Sequence, residues 1–168
     1  DYLSNFHNLT GSNFDDILEG DGNSNIIRGT AGSNIIKGIA GTNELYGGTG
    51  NDMIFGGTGN DIIHGGGGVN TVNYSEATSG VTVDLGSTAE QTVGGGQGID
   101  TLQNIQNIIG STYDDVFKSN HTVGNHFNGN GFQTNGDTVD YSNITVNDVE
   151  QDFVRVNLST NTGLITIG

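Results

Sequence analysis

Side chains that carry oxygen recur at a fixed nine-residue spacing through the first half of the chain. Asp or Asn fills seven successive positions of this series: Asp16, Asn25, Asn34, Asn43, Asp52, Asp61 and Asn70. Carboxylate and amide oxygens are hard ligands, and calcium takes about six to eight such ligands. One side chain in nine residues cannot supply a set of that size. Backbone oxygens must therefore provide the rest of any metal site.

Glycines beside these positions indicate where the backbone oxygens come from. Units of nine residues run without a break from Gly11 to Asn73, and each unit begins with glycine. The units GGTGNDMIF (47–55) and GGTGNDIIH (56–64) also have glycine at their second and fourth places. Glycine permits positive φ and close backbone approach, so the chain can turn tightly and leave carbonyl oxygens on the inner rim of the turn.

The predicted metal ligands are therefore sixth-place side chains together with glycines of the turns. Asp52 and Asp61 are the strongest candidates, because Asn keeps an oxygen ligand but removes a charge. The predicted set is Asp16, Asn34, Asn43, Gly48, Gly50, Asp52, Gly57, Gly59, Asp61 and Asn70. Sites that contain Asn should be weak and suited to millimolar calcium. The alternative at Asn25, Asn34 and Asn43 is a ladder of uncharged asparagines that needs no metal.

Short strands must hold these turns in place. The eighth position of every unit is aliphatic and stands between two variable residues, which is the pattern of a minimal strand with one inward side chain. Two units make one coil, so equivalent turns recur every 18 residues and stack on one edge of a parallel solenoid. Asp16, Asn34, Asp52 and Asn70 then share one edge, and Asn25, Asn43 and Asp61 share the other. A flexible glycine-rich linker would have no reason to keep the aliphatic column in register.

The repeat resembles the RTX (repeats-in-toxin) family, whose unit is G-G-x-G-x-D-x-U-x. The units at 47–55 and 56–64 match it at every place, and the other five match it in part. The resemblance implies an all-β fold, a parallel β-roll built as a right-handed solenoid of nonapeptide repeats. It also implies Ca²⁺ as the bound ion and a bacterial protein that leaves the cell through a type I secretion channel.

A second, longer repeat indicates tandem modules. Residues 1–18 align with residues 100–117, TVNYS (71–75) recurs as TVDYS (138–142), and VTVDL (81–85) recurs as VRVNL (154–158). Alternation within VTVDL indicates half-buried strands that cap the coil. The predicted segments are the end of a preceding cap (1–10), a β-roll of seven nonapeptides (11–73), capping strands and a connector (74–109), a short degenerate repeat segment (110–140) and a second capping segment (141–168).

The composition narrows the classes of function. The net charge of −15, with four basic residues in 168, argues against nucleic acid or an anionic membrane as partner and favours a divalent cation. No run of residues has the length and apolarity of a transmembrane helix. The chain has no cysteine, and its four histidines lack a Ser or Cys partner at the spacing of a catalytic motif. We therefore predict that it is not an enzyme.

The sequence predicts a repeat domain that folds on calcium outside the cell. Its predicted role is that of a structural, adhesion or self-packing module in a large secreted bacterial surface protein, such as an adhesin or surface-layer protein. The alternative is a non-catalytic module that binds polysaccharide (alginate), similar to the R-modules of mannuronan epimerases. Such a module needs rows of cations, and here only Arg28 and Lys37 lie one unit apart.

An outward apolar stripe is a further predicted surface. The seventh place points away from the coil, and there the odd-numbered units carry Ile17, Ile35 and Met53, with Phe55 close by at a ninth place. Apolar residues one coil apart on a solvated face usually pack against something. We predict that this stripe packs on another segment or another copy of the chain. The alternative is that the residues are tolerated in an exposed position.

Overall fold

A computed structural model describes residues 6–120, 124–131 and 136–142 of the chain. This part contains strands and no helix, and so no helix in it could cross a membrane. The strands are β1 (Asn8–Thr10), β2 (Ile17–Glu19), β3 (Ile26–Arg28), β4 (Ile35–Lys37), β5 (Glu44–Thr49), β6 (Met53–Phe55), β7 (Ile62–Gly67), β8 (Thr71–Asn73), β9 (Thr82–Asp84), β10 (Gln91–Thr92), β11 (Ile99–Gln103), β12 (Asn107–Ile109), β13 (Val116–Lys118), β14 (His126–Asn128) and β15 (Thr138–Asp140).

The eighth-place residues form the core of the repeat segment. In β4, for example, Ile36 is fully buried between two half-buried neighbours. All seven residues of this column lie in one hydrophobic cluster: Leu18, Ile27, Ile36, Leu45, Ile54, Ile63 and Val72. Burial of one such side chain contributes about 1.5–3 kcal/mol. The predicted inward column is confirmed.

Successive strands alternate between two parallel sheets. One sheet has the order β1-β3-β5-β7-β11-β10 and the other β14-β12-β8-β6-β4-β2. Residues 18 apart are paired within the repeats, so that Ile17 faces Ile35 and Ile35 faces Met53. Two units therefore make one coil, and the fold is all-β and a parallel β-roll, as the sequence predicts.

The stacking continues beyond the regular repeats. After Asn73 the chain makes β9 and β10 and then returns, so that β11 pairs in parallel with β7 and β12 with β8. A third sheet has the order β15-β13-β9, while β10 runs antiparallel to β11. The later coils differ in length, since Thr101 pairs with Ile62 and Asn107 with Thr71.

The first predicted capping strand, at residues 81–85, is buried beneath later parts of the chain. Val81, Val83 and Leu85 are buried, as their alternation predicts, and β13 lies beside β9 in the third sheet. Most of the second capping segment, including VRVNL at 154–158, lies outside the described residues, as do residues 1–5. The five segment boundaries stay predictions.

Candidate metal centre

The turns between strands stack closely on one another along each edge. Gly50 and Gly59, at fourth places, have φ values of 130° and 133°. This is the positive φ that the sequence predicts for glycines in these turns. A Cβ atom on Gly50 would overlap the carbonyl oxygen of Gly32, and one on Gly59 would overlap that of Gly41. Carbonyl oxygens of one turn thus face the backbone of the next turn. The second-place glycines also have positive φ: Gly48 and Gly57.

The sixth-place side chains form two hydrogen-bonded ladders. On one edge the backbone N–H of Asp16 donates to Asn34 Oδ1 (3.0 Å), that of Asn34 to Asp52 Oδ1 (2.8 Å) and that of Asp52 to Asn70 Oδ1 (3.0 Å). On the other edge the N–H groups of Asn25 and Asn43 donate to the residues 18 positions later, Asn43 and Asp61 (both 2.9 Å). The structure therefore brings the predicted side chains together as two columns, one on each edge. Their role as metal ligands stays a prediction.

The asparagines place an amide nitrogen among the turn oxygens. Asn34 Nδ2 donates to Asp52 Oδ1 (3.0 Å) and to the carbonyl oxygens of Gly32 and Gly47 (both 3.2 Å). Asn43 Nδ2 makes the equivalent contact with Asp61 Oδ1 (2.9 Å). This is the hydrogen bonding that the metal-free asparagine ladder requires. The alternative interpretation of the Asn-containing turns therefore has a structural basis.

The two aspartates differ from the asparagines in having one unsatisfied oxygen. Oδ1 of Asp52 and of Asp61 accepts two hydrogen bonds, whereas Oδ2 of each is buried without a hydrogen-bond partner. Burial raises the pKa of Asp52 above its ordinary value and raises the pKa of Asp61 to about 6. A buried carboxylate oxygen with no donor is costly, and a divalent cation would remove that cost. The donor set at these two positions therefore fits calcium.

Any ion in these turns must take most of its ligands from the backbone. Within residues 6–120, 124–131 and 136–142 no three His, Cys, Asp or Glu side chains come close enough to hold a metal. Calcium accepts carbonyl oxygens readily. The stacked turns supply them beside a single carboxylate, which matches the predicted division between glycine and sixth-place ligands.

A second ladder at the fifth place was not anticipated from the sequence. The N–H of Ser33 donates to Asp15 Oδ1 (2.6 Å), and the N–H of Val69 donates to Asn51 Oδ1 (2.8 Å). These bonds run from the later coil to the earlier one, opposite to the sixth-place ladder. The signal in the sequence is a fifth place that is polar in the first six units.

Asp100 extends the sixth-place column and was also missed. Its Oδ1 accepts the N–H of Asp61 (3.0 Å), and its Oδ2 accepts the hydroxyl of the fully buried Tyr74 (2.9 Å). Burial raises the pKa of Asp100 to about 7. The spacing of 39 residues hides this position from an 18-residue search, although Gly98-Ile99-Asp100 repeats the form of Gly59-Asn60-Asp61.

The same ladder recurs beside the third sheet. The N–H of Val81 donates to Asp115 Oδ1 (2.8 Å), and the N–H of Asp115 donates to Asp137 Oδ1 (2.9 Å). Burial raises the pKa of both carboxyl groups. The degenerate repeats after Gly110 thus keep the hydrogen bonding of the regular ones.

The predicted apolar stripe lies on adjacent strands of one sheet. Ile17 is 77% exposed, while Ile35, Met53 and Phe55 are half-buried. Lys37 covers part of the stripe, since its Nζ lies 4.9 Å from the centre of the Phe55 ring. Packing of this surface on another segment or copy stays a prediction.

The two cations considered for polysaccharide binding lie on different sheets. Arg28 is in β3, and its guanidinium lies 4.8 Å from the centre of the Tyr46 ring. Lys37 is in β4, with Nζ 3.7 Å from Glu76 Oε1. They do not form one row.

Comparison with known proteins agrees with this geometry. The sequence model of the family described as "RTX calcium-binding nonapeptide repeat" matches residues 8–36 and 37–72. No curated protein matches the chain. The matched residues are those that build the stacked turns between β1 and β8. Residues 8–72 thus match the model of RTX calcium-binding nonapeptide repeats, and in the structure they form a parallel β-solenoid.

Proposed function

We propose that this domain folds when calcium binds in its stacked turns, and that it serves as a structural module of a secreted protein. The observation that carries the proposal is the pair of buried carboxylate oxygens without partners, Asp52 Oδ2 and Asp61 Oδ2. They lie on opposite edges of the roll, so each edge would have its own site.

The proposed ligands are carboxylates and turn carbonyls. Asp52 would bind calcium together with carbonyl oxygens of its own turn, Gly48 and Gly50. Asp61 would do so with carbonyl oxygens of its own turn, Gly57 and Gly59. Weaker sites on the same edges would involve Asp16, Asn34, Asn43 and Asn70. Bound calcium would supply positive charge between stacked turns and neutralise carboxylates that the roll buries.

Calcium gives such a module a switch between compartments. A chain with 32% hydrophobic residues and a net charge of −15 has little burial to set against backbone ordering, which costs about 1–2 kcal/mol per residue. Each site held at 100-fold over its dissociation constant adds about 2.7 kcal/mol. The chain would stay unfolded at low intracellular calcium and fold in extracellular calcium.

The role in the parent protein follows from this switch. The resemblance to RTX proteins implies a secreted protein, in which these repeats would have a structural role. Type I secretion passes an unfolded chain, and extracellular calcium then folds it. An adhesin-like or surface-layer protein is the parent that we propose. We do not propose polysaccharide binding, because Arg28 and Lys37 occupy different sheets.

Asp52→Asn and Asp61→Asn separate metal binding from the ladder. Asn keeps an Oδ1 that can accept the two hydrogen bonds from the previous coil but loses the charge. Isothermal titration calorimetry should show that each variant loses one of the tighter calcium sites, with affinity at that site reduced about tenfold or more. Asp21→Asn is the control, because Asp21 is exposed and its side chain accepts local hydrogen bonds from the backbone and the side chain of Asn23. Equal effects of all three changes would contradict the proposed sites.

A further inference from the structure

One further nonapeptide with the full repeat pattern lies outside the continuous run. Residues 95–103 read GGQGIDTLQ, with glycine at the first, second and fourth places, Asp100 at the sixth and Leu102 at the eighth. This unit therefore matches the nine-residue consensus at every fixed place. Residues 74–94 separate it from the run, and the match to the family model ends at residue 72. From its sequence alone, this unit should bind calcium as the consensus units of the run do.

The structure stacks this unit on the run in the place of the next repeat. β11 pairs in parallel with β7, and Leu102 lies opposite Ile63. A Cβ atom on Gly98 would overlap the carbonyl oxygen of Gly59, just as one on Gly59 would overlap that of Gly41. The turn of this unit therefore has the close backbone approach of the regular turns.

Asp100 has the same place in the hydrogen-bonded ladder as Asp61. Oδ1 of Asp100 accepts the N–H of Asp61 (3.0 Å), and Oδ1 of Asp61 accepts the N–H of Asn43 (2.9 Å). Both aspartates are buried, with 0% and 1% of their surface exposed. The sequence, the stacking and the first carboxylate oxygen thus give no reason for the two units to differ in calcium binding.

The second carboxylate oxygen is where the two units differ. Oδ2 of Asp61 is buried without a hydrogen-bond partner, as is Oδ2 of Asp52. Oδ2 of Asp100 instead accepts the hydroxyl of Tyr74 (2.9 Å), whose side chain is fully buried. A hydroxyl donor removes the cost of burying this oxygen, so no cation is needed there. Calcium would have to lie about 2.3–2.6 Å from the same oxygen, close to the hydroxyl.

Tyr74 stands at the point where the chain leaves the repeats. Each of the seven units begins with glycine, and residue 74 is where an eighth contiguous unit would begin. Tyrosine replaces the glycine there, and the N–H of Tyr74 donates to the carbonyl oxygen of Ile109 (2.8 Å). The chain returns to the roll with the unit at 95–103. The hydrogen bond from Tyr74 to Asp100 therefore joins the two ends of the inserted segment.

We propose that Tyr74 excludes calcium from the unit at 95–103 and holds this unit on the roll without metal. Its hydroxyl takes the place of an ion at Asp100 Oδ2, so that within the described residues the row of calcium sites on this edge ends at Asp61. This inference rests on the proposed function, because the calcium sites of Asp52 and Asp61 are its reference. It goes further by naming the residue that decides which consensus units bind the ion.

Calcium titration of Asp100→Asn tests the exclusion directly. Asn keeps an Oδ1 for the N–H of Asp61 and removes the charge, so a calcium site at Asp100 would be lost. Isothermal titration calorimetry should give the same number of calcium ions per chain for Asp100→Asn as for the unmodified chain. Asp61→Asn is the matched change in the same ladder and should bind one ion fewer. Loss of one ion in Asp100→Asn would overturn the proposal.

Tyr74→Phe tests the role of the hydroxyl. The variant leaves Oδ2 of Asp100 buried without a donor, which is the state of the same oxygen in Asp52 and Asp61. It should bind one calcium ion more than the unmodified chain, and Tyr74→Phe/Asp100→Asn should not. Because the phenyl ring still fills part of the space, the added site should be at least about tenfold weaker than the site of Asp61. Tyr113→Phe, a change on an exposed tyrosine, should add no ion.

A purely structural role of Tyr74 would change stability and leave the number of bound ions unchanged. A folded Tyr74→Phe chain that binds no added ion therefore contradicts the proposal. Where Tyr74→Phe does not fold in calcium by circular dichroism, the comparison of Asp100→Asn with Asp61→Asn decides alone. Failure of the proposed function has a different signature, since Asp61→Asn would then keep its full number of ions whatever Asp100→Asn does.

Discussion

At the residue scale, the sixth-place side chain combines two functions that its column in the sequence does not separate. One oxygen accepts the backbone N–H of the previous coil, and this function is common to Asp and Asn. The second oxygen differs: it is a buried, unpartnered acceptor in Asp52 and Asp61. The Asx column therefore holds the roll together, and the aspartates within it mark where positive charge is needed.

The buried carboxyl groups predict how the calcium-stripped chain responds to pH. Burial raises the pKa of Asp61 to about 6 and that of Asp100 to about 7, above the ordinary value of about 3.9 in an unfolded chain. The folded state therefore binds more protons than the unfolded state. The stability that protonation of these two groups contributes is fully present below about pH 4 and is lost as pH rises through 6 to 7. Acidification from about pH 8 to pH 5 should increase the folded fraction measured by circular dichroism.

Asp61→Asn and Asp100→Asn provide the control for this pH effect. Each variant should respond less to pH than the unmodified chain, because it lacks one of the titrating groups. A calcium-stripped fold that loses stability on acidification through this window would contradict the prediction.

The hydrogen bond from Tyr74 to Asp100 should contribute to the stability of the domain where β11 returns to the roll. Tyr74→Phe removes the only donor to Asp100 Oδ2 that the structure describes and leaves a buried acceptor unpaired. We expect the calcium-bound domain to lose about 1–3 kcal/mol, measured by urea unfolding. Tyr113→Phe is the matched control on an exposed tyrosine and should change stability by less than about 0.5 kcal/mol. Similar losses in both variants would argue against the Asp100 bond.

At the element scale, two turns keep a glycine-type conformation without a glycine. Thr30 and Ile39 occupy second places and have φ values of 81° and 75°. β-Branched residues rarely adopt positive φ, and such strain costs about 1–3 kcal/mol. The neighbouring coils impose the turn shape even where the sequence opposes it.

Relief of this strain is measurable with a matched pair of variants. Ile39 in a turn and Ile62 in β7 are about equally exposed, at 40% and 37%. Ile39→Gly should stabilise the calcium-bound domain by up to about 1 kcal/mol, because released strain exceeds the added backbone entropy. Ile62→Gly should destabilise it by at least about 0.5 kcal/mol. Destabilisation of both variants to the same extent in thermal melts would exclude strain at Ile39.

The sequence predicts the elements well wherever the nine-residue period holds. The eighth-place core and the two edges of sixth-place residues follow from the period alone, because every coil has the same length. The period does not predict the position of Asp100, because residues 74–96 come between the coil of Asp61 and the coil that stacks on it. The period does not predict the fifth-place ladder either, because the polar side chains at that place are of several types.

At the scale of the whole molecule, the described part of the chain is one stack of coils, in which each new coil packs on an earlier one and the coil length varies. Coils of 18 residues give way to longer ones after Asn73, yet β11, β12 and β13 still stack on β7, β8 and β9. Each coil contacts mainly its neighbours, so stability is close to a sum of nearest-neighbour terms. Calcium between coils would strengthen every such term, which makes cooperative folding on calcium the expected behaviour.

The most direct test of calcium-dependent folding is circular dichroism of the chain during a calcium titration that starts in chelator. We expect a disordered spectrum without calcium and one cooperative transition to β structure between sub-millimolar and millimolar calcium. Magnesium should substitute poorly, because its preference for small octahedral sites does not suit a rim of carbonyl oxygens. A β spectrum and a melting temperature that are the same in chelator and in calcium would contradict the account.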